Sequence, residues 1–224
     1  MSEAERIDPS KKLSILDVGV GTGRILWCAH SVATRKHFYV GVDISPEMLQ
    51  VCKDKKTIEE QNIVLIETDA HKLPLDNNSF DLIFCFSVLQ LLTVDVALTE
   101  MARVLRDDGL ILIGMVCQHD DDIEGWRDYI ARKQANGYPS RIYHVNSLFR
   151  SIANTNLTLK RRFVLSYNRT FEALRLEKSD PWGENVINEV IACFKEASAP
   201  LKYMYKITEE SFAQYYNILV LAKD

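Results

Sequence analysis

Four short stretches of this chain carry residues whose types and spacing suit chemistry on a small, positively charged ligand. In the first, an apolar run through Ile15 and Leu16 breaks at Asp17, and glycines then stand at alternate positions, Gly19, Gly21 and Gly23, separated by Val20 and Thr22. Alternate glycines remove every second side chain from a turn, so its backbone can lie directly against a bound molecule. The unpaired N–H groups of a following helix would point to the same place. Asp17 beside that turn favours an ammonium or sulfonium and repels a pyrophosphate. The second stretch holds Asp43, twenty residues past Gly23, where a carboxylate can accept hydrogen bonds from both hydroxyls of a ribose. Ile44 and Met48 beside it could flank a planar ring, though core packing would also account for them. In the third, Asp69 could accept from the exocyclic amine of an adenine while Ala70 lets the ring edge approach. The fourth is Phe86-Ser87, at the end of a long apolar run.

Two other glycine-rich motifs are excluded by the same residues. A phosphate-binding P-loop needs Lys and then Ser or Thr after its last glycine, and this chain has Arg24 and Ile25. A dinucleotide fingerprint needs a third glycine where Arg24 stands.

The positions of these residues make sense only if each closes a strand. Ser14 to Val18, His37 to Val42, Ile63 to Ile66, Phe80 to Phe86 and Leu110 to Val116 read as buried strands, the fourth apolar enough to be covered on both faces. Helices are expected over Arg24–Arg35, from Ser45-Pro46-Glu47 towards Glu60, and from a Thr93 cap through Arg106. Asp107-Asp108-Gly109 reads as a turn. A further helix is expected over Val145–Asn154, strands over Leu157–Leu165 and Ser211–Ala222, and largely helical structure between Arg169 and Ile207. The fold class is therefore α/β: a doubly wound, mostly parallel seven-stranded sheet of Rossmann-like type with an antiparallel last strand. In such sheets ligands sit beyond the carboxyl ends of the strands, which is where all four stretches fall.

Bulk properties narrow the partners. The 224 residues suit one domain with a well-buried core, spanning residues 1–224. A net charge of -4 provides no global basic field to attract nucleic acid; the compact basic run at 159–162 reads as the solvated side of a strand. The five cysteines, Cys28, Cys52, Cys85, Cys117 and Cys193, form no C-x-x-C pair, which argues against a disulfide framework or zinc ribbon and for a reducing, cytoplasmic setting. The polar start is unlike a signal peptide, and no apolar run is long enough to span a bilayer. The acids of His119-Asp120-Asp121-Asp122 read as a solvated helix start, so no metal is expected.

Taken together, ILDVGVGTGR (15–24), VGVDISPEML (40–49), ETDAHKLPLDNNSFDLIFC (67–85) and MARVLRDDGLILIG (101–114) resemble class I S-adenosylmethionine-dependent methyltransferases, in the branch acting on small molecules and quinone precursors. The resemblance covers residues 13–116. It implies S-adenosylmethionine as cofactor, with Asp17 and the glycines at its methionine part, Asp43 at the ribose and Asp69-Ala70 at the adenine. Phe86 and Ser87 would present backbone groups to the methionine end. Two departures stand out: Gln90 where the family often has histidine, and a lead-in of only 12 residues, which implies that a lid comes from elsewhere.

The expected reaction is in-line displacement of a methyl group onto a small-molecule acceptor. The segments 117–144 and 169–207 are expected to form the lid and acceptor pocket. A hydroxyl acceptor would need a base, for which His119 and His144 are the candidates. Rival readings are a nucleotide-binding oxidoreductase on the same architecture and a catalytically inactive methyltransferase-like partner subunit. Methylation of tRNA or protein is disfavoured by the acidic balance.

Overall fold

A computed structural model describes residues 11–32, 37–55, 62–116, 145–176, 194–197 and 199–224, together with residues 131, 135, 188, 191 and 192. Seven strands form one sheet: β1 (Ser14–Val18), β2 (Phe38–Asp43), β3 (Ile63–Glu67), β4 (Phe80–Phe86), β5 (Leu105–Val116), β6 (Leu157–Thr170) and β7 (Ser211–Lys223). Their spatial order is β3-β2-β1-β4-β5-β7-β6. Strands β1 to β5 pair in parallel, while β7 runs antiparallel to both of its neighbours. The strand order reverses between β1 and β4, so the crevice for a ligand opens at their carboxyl ends.

Alternation along the strands divides the core in two. Leu16, Val18, Val40, Val42, Ile83, Cys85, Ile111 and Ile113 face α3 (Val94–Val104) and α4 (Val145–Ala153). Ile15, Tyr39, Leu82 and Phe84 face α1 (Arg24–Val32) and α2 (Pro46–Asp54). Side chains on successive residues point to opposite faces, so a sheet covered on both sides needs apolar residues at nearly every position.

The entry to α2 forms as its residues dictate: Pro46 starts the helix, and the Ser45 hydroxyl accepts from the Met48 amide at 3.2 Å. The entry to α3 does not. Thr93 stands at the cap position, but its hydroxyl makes no capping bond. Instead its backbone N–H donates to Nε2 of His71 at 2.8 Å. The helix stops at Val104 and the next strand begins at Leu105, five residues earlier than expected. Residues 106–109 loop out of the ladder, since Phe80 pairs with Leu105 and Leu82 with Leu110. The acidic turn is therefore an interruption within β5, a large bulge.

Asp81 secures the end of the sheet remote from the crevice. Its side chain is 6% exposed and takes the Ser14 amide at 2.8 Å, the Lys11 ammonium at 2.9 Å and the Arg106 guanidinium at 2.5 Å. Burial pushes this carboxyl up, but the amide and the two cations outweigh it and hold it below the ordinary value. A depressed value contributes stability above the ordinary carboxylate range that is lost as pH falls through the folded value. Asp81→Ala strands the Ser14 amide and the Arg106 charge, and is expected to cost about 2–3 kcal/mol by urea denaturation at pH 7.

After β6 the chain builds a separate small nucleus. Phe171, at the start of α5 (Phe171–Leu176), packs with Ile191, Phe194, Tyr205 and Phe212, the last on β7. Phe194 and Phe212 stack at 4.2 Å. Among the described residues, Phe171, Ile191, Phe194 and Tyr205 thus gather against the start of β7, at the carboxyl end of the parallel strands, as a cluster apart from both main cores. Strand β6 runs five residues beyond its expected end, and the basic residues Lys160 and Arg161 lie on it exposed.

Candidate functional site

The glycine turn takes a backbone path that side chains would obstruct. Gly19 has φ +68°, and a Cβ there would meet Val88 Cγ2 at 2.6 Å; Gly23 has φ +82°, and a Cβ would meet Cys52 Sγ and Trp27 Nε1, both at 2.5 Å. Both conformations are left-handed and both positions are crowded, so each needs glycine. The contact at Gly19 also fixes geography, because Val88 follows Ser87 directly and so brings the end of β4 against the turn.

Asp43 joins the turn to the end of β2. Its Oδ2 accepts from the Gly21 amide at 2.7 Å and its Oδ1 from the Ser45 amide at 3.0 Å. Each carboxylate oxygen has a second acceptor position, so the fork expected for a ribose is oriented by two backbone donors before any ligand arrives. The alternative role as a helix cap is filled by Ser45, as the sequence indicates. Ile44 is 69% exposed and Met48 39%. Core packing does not explain them, whereas apolar walls beside a planar ring would.

Asp17 is only 3% exposed and lies behind the turn, with Oδ2 accepting the Leu26 amide at 3.1 Å in the first turn of α1. Burial raises its carboxyl to about 7; the Leu26 amide opposes that rise, and the nearby Asp43 charge adds to it. Val20, expected at the site, turns its side chain into the core with Leu26 and Tyr39, so only its backbone is available to a ligand. Its amide is committed to the Val42 carbonyl at 2.9 Å. The Thr22 carbonyl accepts from Lys55 Nζ at 3.1 Å.

Asp69 is half exposed at the end of β3, with Ala70 buried behind it. Its Oδ1 is held by His71, through the backbone amide at 2.9 Å and ring Nδ1 at 2.6 Å. Because Nε2 of His71 accepts from Thr93, the ring proton must reside on Nδ1 and be donated to Asp69. These contacts hold Asp69 below the ordinary carboxylate range.

Three positioning residues here were not singled out from sequence: His71, Glu100 and Arg103. Glu100 accepts the Leu73 amide at 2.8 Å and pairs with Arg103. Arg103 donates to the Leu73 and Leu75 carbonyls at 2.9 and 2.8 Å and to Asn77 Oδ1 at 2.7 Å. One guanidinium thereby fixes the polar loop that follows Asp69-Ala70. The signal was present as an acid and a base three apart on the helix, but that spacing alone reads as an ordinary surface pair. Arg103→Ala leaves two loop carbonyls without their donor and Glu100 without its cationic partner. It is expected to lower the thermal midpoint by several degrees, on the order of 2 kcal/mol, and to weaken adenosine binding.

Phe86 and Ser87 close β4 beside the glycine turn, and Ser87 adopts φ +59°. The expected bases His119 and His144 lie outside the described residues, as does most of segment 117–144. Among the described residues, no group of three or more His, Cys, Asp or Glu side chains could hold a metal ion.

Residues 16–113 match the family described as a methyltransferase domain. The similarity to a methyltransferase domain covers 98 residues, just under half of the chain. The demethylmenaquinone methyltransferase of Staphylococcus aureus is 35% identical over 103 residues, which are 46% of this chain and 42% of that protein. An uncharacterized protein of Methanocaldococcus jannaschii is 28% identical over 208 residues, 90% of this chain and 72% of its own. A solved structure with the same fold is geranyl diphosphate C-methyltransferase from Streptomyces coelicolor, in complex with Mg2+, geranyl diphosphate and S-adenosyl-L-homocysteine. It has a TM-score of 0.65 at 13% identity, covering 95% of this chain and 74% of that one. The chain spans less than half the length of the first curated methyltransferases it matches, 42% in two of them. The match to the methyltransferase domain ends within β5, so the second aromatic nucleus and the β6–β7 pair lie beyond it.

Proposed function

We propose that this chain is a class I methyltransferase that binds S-adenosylmethionine across the ends of β1, β2, β3 and β4 and transfers its methyl group to a small-molecule acceptor. The observation that carries this reading is the bond from the Gly21 amide to Asp43, which makes one continuous crevice of the glycine turn and the ribose fork. The residues fit the cofactor part by part. Asp17 supplies negative charge behind the turn for the methionine end, Asp43 accepts from the ribose, and Asp69 accepts from the adenine amine. Ala70, Ile44 and Met48 border the ring. When bound, the cofactor supplies an electrophilic methyl group; the protein orients the acceptor against it and excludes water.

Segments 117–144 and 169–207 are the proposed cover and acceptor pocket of a single domain spanning residues 1–224. Support comes from Phe171, Ile191, Phe194 and Tyr205 of the second segment, which pack with Phe212 at the crevice end of the sheet. For a hydroxyl acceptor, His119 and His144 are the proposed bases. A cytoplasmic setting follows from the scattered cysteines, and the net charge of -4 favours a small molecule over nucleic acid.

Calorimetric titration with S-adenosylmethionine, S-adenosylhomocysteine and NAD tests the reading. The first two are expected to bind at micromolar concentration and NAD not at all. Saturable NAD binding with no response to the sulfur compounds would favour an oxidoreductase on the same architecture.

A further inference from the structure

Just past the proposed methionine end, three polar side chains meet at Ser87. Its left-handed backbone is uncommon for a residue with a Cβ and costs on the order of 1 kcal/mol or more. Two bonds hold it there: its own N–H to the Gly114 carbonyl at 2.7 Å, and Gln90 Nε2 to its carbonyl at 2.6 Å. Ser87 Oγ lies 3.0 Å from the hydroxyl of Tyr216, from which it is 129 residues distant in sequence. Oε1 of Gln90 has no partner among the described residues.

Tyr216 comes from β7, opposite Val116 in the ladder, and its ring stacks on Phe86 with centroids 6.4 Å apart and planes at 27°. Gly114 allows this arrangement. A Cβ there would meet Phe86 Cδ1 at 2.4 Å and Tyr216 Cε1 at 2.9 Å, so only glycine lets both rings lie along β5. The result is a ring platform ending in a solvent-facing pair of hydroxyls. Val88 ties it to the glycine turn, since any Cβ at Gly19 would strike its side chain at 2.6 Å.

We propose that the Ser87–Tyr216 hydroxyl pair, at the edge of the Phe86–Tyr216 rings, is the acceptor subsite, and that it takes a planar ring bearing an oxygen that accepts a hydrogen bond. This rests on the methyltransferase reading, because the platform adjoins the proposed methionine end. Two hydroxyls that share one hydrogen bond use one of their two protons in it; the other O–H remains for a ligand oxygen. Burial raises the Tyr216 phenol above its ordinary value, against the Ser87 bond and the Arg24 charge, which lower it. The phenol therefore stays protonated, as a donor, at neutral pH. Stacking on the platform supplies affinity, and the hydroxyl pair supplies orientation. Gln90 is a positioning residue: it acts through the Ser87 backbone.

Phenol and toluene, nearly equal in size, are suitable probes. Each is titrated by NMR into the protein saturated with S-adenosylhomocysteine. Wild type is expected to prefer phenol by about ten-fold, the worth of one hydrogen bond. Tyr216→Phe keeps the platform and should reduce that preference to about two-fold or less while leaving toluene binding unchanged. Ser87→Ala should reduce it as well, and serves if the Tyr216 variant does not fold. In Tyr216→Phe, affinity for S-adenosylhomocysteine should remain within about two-fold of wild type. The proposal is overturned by an undiminished phenol preference in both variants, or by a wild type that holds S-adenosylhomocysteine and binds neither probe. A wild type that fails to bind S-adenosylhomocysteine would refute the methyltransferase reading itself.

Discussion

Asp43→Ala is expected to weaken S-adenosylmethionine binding by on the order of 2–4 kcal/mol, about 30- to 1,000-fold in Kd. Two losses combine. The ribose hydroxyls lose a charged acceptor, and the Gly21 and Ser45 amides lose the carboxylate that orients them. Because Gly21 belongs to the turn, its position is expected to relax in the variant. Calorimetry with adenosine and with 2′,3′-dideoxyadenosine separates the two effects. Wild type should strongly prefer adenosine, and the variant should bind both equally weakly. If Asp43→Ala still discriminated between them as wild type does, the ribose assignment would fail, whatever the loss in overall affinity.

The second large effect concerns pH. Burial raises the Asp17 carboxyl to about 7, against the one amide, that of Leu26, that donates to it among the described residues. In the free protein it is therefore mostly protonated below that value. A cationic ligand favours the ionised form, so binding below about pH 7 should release a proton and affinity should rise with pH, by up to about ten-fold per unit, then level off. The free protein should show the opposite trend. Its folded value lies above the ordinary 3.8, so the folded state binds more protons than the unfolded state across that window. Stability should consequently decline as pH rises from about 4 to about 7. Titrations in buffers of different ionisation enthalpy measure the released proton, and thermal unfolding of the free protein measures the slope. Asp17→Asn should flatten both dependences. A proton-neutral binding reaction at pH 6 would show that Asp17 does not face the ligand's charge.

Local sequence was enough for β1 to β4, to within a residue, and for the residues that close them. β4 matches its expected bounds, Phe80–Phe86, and β1 likewise matches Ser14–Val18. Those elements are encoded by runs of adjacent residues, and the parallel sheet needs little else. The boundary between α3 and β5 was misjudged because its determinant is remote. Asp107-Asp108-Gly109 has the composition of a turn, and only pairing with Phe80 and Leu82 makes it a bulge inside a strand. The Thr93 hydroxyl looked like a cap for a similar reason. Its amide is satisfied by a histidine 22 residues away, which helix-cap chemistry does not reveal.

The candidate site divides in the same way. The glycine turn, Asp43 and Asp69-Ala70 are legible because backbone conformation and strand termini are local properties, and the residue types at those points have few other uses. Val20 sits within the same motif, yet its side chain serves the core. Alternation across β1 and β2 decides that, not the motif.

By itself, the sequence determined a doubly wound sheet with a glycine turn and acids at the ends of its first three strands, since short apolar runs and conformationally demanding residues act over a few positions. Tertiary structure decided how those acids are held: Asp43 by the turn it faces, Asp69 by His71, Asp17 by burial. It also decided that Ser87 meets Tyr216. Charge state and hydrogen-bond geometry depend on which distant groups share a low-dielectric space, and sequence spacing carries no measure of that distance.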